Sequence, residues 1–277
     1  MSKRFTLGIV VVMAALGALF LGFDIFDIEE HFRLHLPTAI LNTVFIFVIA
    51  VPVTCVAARS YTISGLPQML WLGCGALAFG VGTLLRGWLV GEGLNVPITS
   101  YDSIALIASV LHLIGAGLSM AKPRLPDSKS RRKLGIVLFC YLGVLASIAL
   151  VTILAFQGVI PPFYVAGEKT PLIRDIVRGI TGIFFLASSF IYLRMYSSLR
   201  VDFLFYYSLG LIFFAFGIIF MSLGDIESRI AWLGRASQYI GGIYFLVAVL
   251  GAHRLARGGK GKLTQPGDGL SSAKDVQ

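Results

Sequence analysis

Trp232-Leu-Gly-Arg-Ala-Ser-Gln-Tyr-Ile-Gly-Gly-Ile-Tyr244 opens the last long apolar run of the chain and carries a polar stripe into it. Arg235 and Tyr239 are four residues apart and Gln238 stands three from Arg235, so the three share one helix face. A guanidinium that far inside a lipid-length segment costs several kcal/mol unless it faces protein or water. Some other part of the fold must therefore receive this face.

The rest of the chain supplies the setting. It is 57% hydrophobic and only 13% charged, with a mean hydropathy of +0.85, well outside the soluble range. Apolar runs of spanning length recur from end to end, which predicts an all-α, multi-pass integral membrane protein. In a soluble protein the net charge of +9 would raise nucleic acid as a partner. Here loop asymmetry explains it, and no nucleic-acid partner is expected. Cys55, Cys74 and Cys140 stand singly in apolar segments, as buried thiols do.

Eight transmembrane helices are predicted, over about 5–23, 36–58, 69–90, 101–121, 134–156, 172–196, 203–223 and 231–253. The first follows Met1-Ser-Lys-Arg4, is long for a signal peptide and is read as retained. Residues 1–256 then form one transmembrane domain, and the Gly-, Lys- and Ser-rich residues 257–277 are expected to be a disordered cytoplasmic tail. A faint repeat, R-x-Y followed by L-G-x5-F-G, occurs at Arg59 to Gly80 and again at Arg194 to Gly217. It points to two parallel four-helix halves, 1–128 and 129–256, with chance similarity between apolar helices as the rival explanation.

With the N-terminus inside, the inner segments hold 16 Lys/Arg and 4 acids and the outer ones 7 and 10. This asymmetry predicts that both termini are cytoplasmic. The loop from Lys122 to Lys133, with six Lys/Arg in twelve residues, is the main topology determinant. Trp88 and Trp232 fall at the outer interface and Trp71 at the inner one.

Three spans bring four arginines to similar depth on the outer side: Arg86, Arg174 with Arg178, and Arg235. Asp175 is placed to pair with Arg178 three residues on, and Asp102 sits at the mouth of the fourth span. Two readings are open. The arginines snorkel or form interhelical salt bridges that set packing. Otherwise, with Gln238, Tyr239 and nearby His112, they line a polar pocket open to the outer face that holds an anionic or lipid-like small ligand. The second reading makes Arg86, His112, Arg174, Arg178, Arg235, Gln238 and Tyr239 the ligand-binding residues.

No enzymatic activity, cofactor or metal is expected. His112 is the only histidine deep in the membrane, so a bis-histidine haem lacks its second ligand at that level. All eight lysines fall outside the predicted spans, which leaves no Schiff-base site for retinal. P-loop, H-E-x-x-H, G-x-S-x-G and C-x-x-C motifs are absent. A deep carboxylate for coupling to protons or sodium is missing too, which lowers the case for a coupled transporter.

Several stretches together resemble a known kind of module. They are Leu72 to Gly80, Asn95 to Thr99, Leu111-His112-Leu113, Pro161-Pro-Phe163 and Trp232-x-Gly-Arg-x-x-Gln-Tyr-x-Gly-Gly-Ile-Tyr244. The pattern is similar to the membrane-associated sensor (MASE-like) modules that precede PAS domains in prokaryotic histidine kinases and diguanylate cyclases. The resemblance implies sensing, with membrane lipids around the bundle and either a cytoplasmic kinase or cyclase or a second copy of the chain as partner. It supplies no ligand chemistry. In those receptors the last span leads into an output domain, whereas only about 24 residues follow His253 here. The competing expectation is a membrane subunit of a transporter or of a respiratory or redox complex.

Overall fold

The computed structural model describes residues 35–120, 130–166, 170–224 and 228–262. The predicted first span, most of the basic loop and the end of the tail lie outside these residues. Among the described residues there are helices and turns and no strand. Seven helical segments are long and apolar enough to cross a membrane.

Helix α1 (His35–Asn42) passes through a π-helical turn (Thr43–Phe47) into α2 (Val48–Ser64), and together they make one span. The others are α3 (Pro67–Trp88), α4 (Asn95–Met120), α5 (Ser130–Phe156), α6 (Leu172–Leu199), α7 (Asp202–Leu223) and α8 (Arg229–Lys262). Three boundaries differ from the sequence expectation. The loop expected over 59–68 shrinks to Gly65 and Leu66. Gly65 takes the left-handed conformation (φ 73°) that closes α2, and Pro67 opens α3 where its missing N–H costs nothing. α4 starts at Asn95, six residues before the predicted Tyr101, because Pro97 sits harmlessly in its first turn. α8 runs on to Lys262, past the expected end near His253 and through Gly258, Gly259 and Gly261.

Six of the segments close a ring in the order α2, α3, α4, α6, α7, α8 and back to α2. Glycine heptads make the tightest joints. Gly73, Gly80 and Gly87 recur every seven residues on α3, and a Cβ there would meet Ala57, Ala50 and Ala39 of the first described span. On α7, Gly210 and Gly217 face Gly241 and Gly234 of α8. A Cβ on Gly234 would lie 2.7 Å from the Gly217 carbonyl oxygen. The repeated motif therefore has unequal surroundings, since its α3 glycines face the preceding helix and its α7 glycines the following one. Phe79 is buried while its counterpart Phe216 is 42% exposed.

The ring is filled with aromatics. Phe79 of α3 lies 4.3 Å from Phe214 of α7 and 5.6 Å from Phe185 of α6, centroid to centroid. Outside the ring, α5 packs against α2, α3 and α4. It touches them through Val137, Val144, Ile148 and Ala155, a stripe at 3.5-residue spacing, and turns its remaining apolar faces outward. Lys133 is buried in the first turn of α5, one residue before the span boundary drawn from sequence but inside the observed spanning segment, Arg132–Phe156. Of the cysteines only Cys74 is buried, while Cys55 is exposed and Cys140 intermediate.

Candidate functional site

The helix ends that carry the predicted site residues meet at one end of the bundle. Asp102, in the second turn of α4, is 1% exposed, and its Oδ2 accepts from two α6 arginines, Arg178 Nε at 2.9 Å and Arg174 Nε at 3.2 Å. Arg174 and Arg178 are one turn apart, so both heads reach one carboxylate. Both are buried, at 4% and 2% exposure. The local pair expected between Asp175 and Arg178 does not form. Asp175 is exposed, and Arg178 takes the buried acid on α4 instead.

A second layer joins this triad to three more helices. Arg178 Nη1 donates to the Met221 carbonyl at the end of α7, and Arg86 Nη1, from the last turn of α3, lies 3.1 Å from the Met221 sulfur. The Arg86 guanidinium also sits 4.5 Å from the centroid of the Tyr101 ring, a cation–π contact. Gln238 Nε2 of α8 donates to Tyr101 Oη at 2.7 Å. Met221 and Tyr101 thus link Arg86, Arg178 and Gln238 in one buried network across α3, α4, α6, α7 and α8.

Tyr239 branches away from it. Its hydroxyl donates to Asn42 Oδ1 at 3.0 Å, and Asn42 Nδ2 donates to the Thr83 carbonyl at 3.3 Å. Arg235 is half-buried, with its guanidinium 4.4 Å from the ring of Trp232 one turn earlier. His112 is not part of the cluster. It lies ten residues beyond Asp102 on α4, about 15 Å along the helix axis, where its Nδ1 meets Tyr207 Oη at 2.8 Å. The rings of Phe185 and Phe245 flank it, and its Nε2 rests over Gly75, where any Cβ would strike the imidazole.

Charge is unbalanced in the network. Among the described side chains, two guanidiniums meet the Asp102 carboxylate and a third, that of Arg86, joins the network through Met221 and Tyr101, so three cations stand against one acid. Asp102 Oδ1 is buried and has no hydrogen-bond partner among the described residues. Such an arrangement can hold an anionic group that also offers a donor, with the planar guanidinium forks matching a carboxylate or phosphate.

Two sequence motifs also meet beside the cluster. Thr99 Oγ1 accepts from Phe163 N at 3.0 Å, and Asn95 Oδ1 accepts from both Thr99 Oγ1 (2.9 Å) and Tyr164 N (3.3 Å). The Pro161-Pro-Phe163 loop is thereby pinned on the start of α4, with Thr99 three residues from Asp102. Tyr101, Asn42 and Met221 were absent from the sequence-derived site. Asn42 had a detectable signal, as an amide inside an apolar span. Met221 had none, because it contributes a backbone oxygen and a sulfur.

No protein-family model matches the chain, and neither does any curated protein or solved structure.

Proposed function

We propose that the chain is a non-enzymatic sensory module that crosses a prokaryotic cell membrane eight times, with both termini in the cytoplasm. It binds a small anionic or lipid-like ligand in the outer-leaflet cluster and passes occupancy to a cytoplasmic partner such as a histidine kinase or a cyclase. The observation that carries this reading is the network in which, among the described side chains, Arg86, Arg174 and Arg178 outnumber Asp102 and Asp102 Oδ1 has no donor.

Two features support coupling to the cytoplasm. The Gln238–Tyr101 hydrogen bond fastens the cluster to α8. That helix continues eleven residues past its spanning segment, Ile230–Gly251, to Lys262, which extends it by about 16 Å. The aromatic filling of the ring favours sensing over a transport path along the bundle axis. A two-half architecture agrees with the order in which the helices pair, although the glycine correspondences do not carry it.

The test of ligand binding is the thermal midpoint of the purified chain in detergent, measured against a panel of carboxylates and glycerophosphates. At least one anion raises the midpoint of the native chain, and Arg174→Gln, which leaves Arg178 on Asp102, removes the response. A panel without effect, or a variant that responds like the native chain, overturns the reading. Orientation is tested separately by reporter fusions at residue 127 and at the C-terminus. Both report cytoplasm, and a periplasmic signal at either point refutes the eight-span topology.

A further inference from the structure

At the opposite end of the bundle from Asp102, a cavity of about 240 Å³ opens where α2 and α8 part. Its wall is apolar apart from Ser60 and includes Val53, Val56, Leu72, Phe203 and Val249. Its origin is visible in the backbone. The π-helical turn that leads into α2 is in intimate contact with α8, its Phe45 carbonyl abutting Gly242, and Pro52 follows on the same span. Seven residues further along α8, Val249 lines the cavity together with Val53, Val56 and Ala57 of α2. The lining comes from the last turns of α2, the first turns of α3 and the start of α7, which places the mouth at a membrane boundary.

An apolar cavity of this kind stays dry, and a void forfeits the dispersion contacts of its walls. It is smaller than the roughly 300–1,000 Å³ of sites for drug-sized ligands, a size that suits one slender chain. Cations flank the mouth. Arg59 is exposed and lies about 60° around α2 from Val56. Arg200, also exposed, immediately precedes Val201, another lining residue. Arg200 is the one non-glycine described residue with positive φ, at 53°. Its N–H caps α6 on the Tyr196 carbonyl at 2.8 Å, so this strained residue fixes the tight α6–α7 turn that forms the lip. Asp202 is an exposed acid beside it, so the described side chains at the rim are two cations and one anion.

We propose that this cavity is a binding site for an anionic phospholipid of the leaflet opposite the Asp102 cluster. One acyl chain occupies the space between α2 and α8, and the headgroup phosphate lies against Arg59 and Arg200. The site is separate from the arginine–aspartate network and does not depend on what that network binds.

The experiment uses the full chain in vesicles that contain phosphatidylglycerol or phosphatidylcholine carrying a diazirine near the end of one acyl chain. Crosslinks are expected at residues 53–60 and at Val249, with phosphatidylglycerol exceeding phosphatidylcholine by roughly fivefold for the excess of one rim cation. Val249→Phe fills the cavity and removes the crosslinks of both lipids. Arg59→Gln combined with Arg200→Asn, an asparagine tolerating the left-handed backbone, reduces phosphatidylglycerol to the phosphatidylcholine level. Both of these sites are exposed, so helicity and thermal midpoint stay unchanged. Equal labelling by the two lipids in the native chain overturns the proposal, as do crosslinks outside the cavity or labelling that survives Val249→Phe.

Discussion

Asp102 of α4 places a single oxygen, Oδ2, 2.9 Å from Arg178 Nε and 3.2 Å from Arg174 Nε on α6. The acid and its partners are 72 and 76 residues apart in sequence, and all three are buried. Removing one member of a buried ion pair leaves the other charged, desolvated and alone. Arg178 has in addition a backbone acceptor on α7 that Arg174 lacks. Replacing Arg178 by Met is therefore expected to destabilise the bundle by about 3–5 kcal/mol, and Arg174→Met by less. Adding Asp102→Asn to Arg178→Met should cost far less than the sum of the two single changes, because the two residues interact directly. Reversible unfolding in mixed micelles measures all three, and strict additivity would refute a direct pair.

The α7–α8 joint makes a contrast between glycines. At Gly234 a Cβ would meet the Gly217 carbonyl and Met221 within 3 Å, whereas at Gly143 on the outward face of α5 there is nothing within 4 Å. Gly234→Ala should push the helices apart and lower the thermal midpoint. Gly143→Ala should leave it unchanged or raise it, since alanine is the better helix former by up to about 1 kcal/mol. Equal effects at the two sites would show that close approach is not what glycine provides at position 234.

Gln238 and Tyr101 join α8 to α4 by one buried hydrogen bond of 2.7 Å. Hydrogen bonds between membrane helices contribute on average about 0.6 kcal/mol. A double-mutant cycle with Gln238→Leu and Tyr101→Phe should return a coupling of that size. The same pair should uncouple the Arg86 guanidinium, which lies over the Tyr101 ring, less than the arginine changes do. A coupling within error of zero would remove this bond as a mechanical link between the cluster and the last helix.

The legible parts of this molecule are those set by one-dimensional physics. Apolar runs of bilayer length mark the seven described spans, and arginines inside such runs single out the helix ends that must face protein. What sequence spacing misassigned was the acid that answers Arg178. The i, i+3 rule points to Asp175, but the exposed Asp175 is in competition with a carboxylate on another helix that is already desolvated and within reach of two guanidiniums. His112 was misplaced for a related reason. Its sequence neighbours leave the choice of partner open, and its depth sets it beside Tyr207 and the central aromatics rather than beside the arginines. Glycines at seven-residue spacing are readable as close-packing positions on both α3 and α7. Which neighbour they admit is a property of the assembled ring, so identical motifs came to face different helices.

The π-helical turn from Thr43 to Phe47 holds one residue more than α-helical winding would use. It lets Asn42 on one side and the Phe45 carbonyl on the other both meet α8, at Tyr239 and at Gly242. Excision of a single residue from this turn would restore ordinary winding and swing everything before it by about 100°. Asn42 would then leave Tyr239, and Ala39 would leave Gly87. Chain length in this turn is thus under tighter constraint than residue identity, and a one-residue deletion here should disturb the fold more than most substitutions within the same five positions.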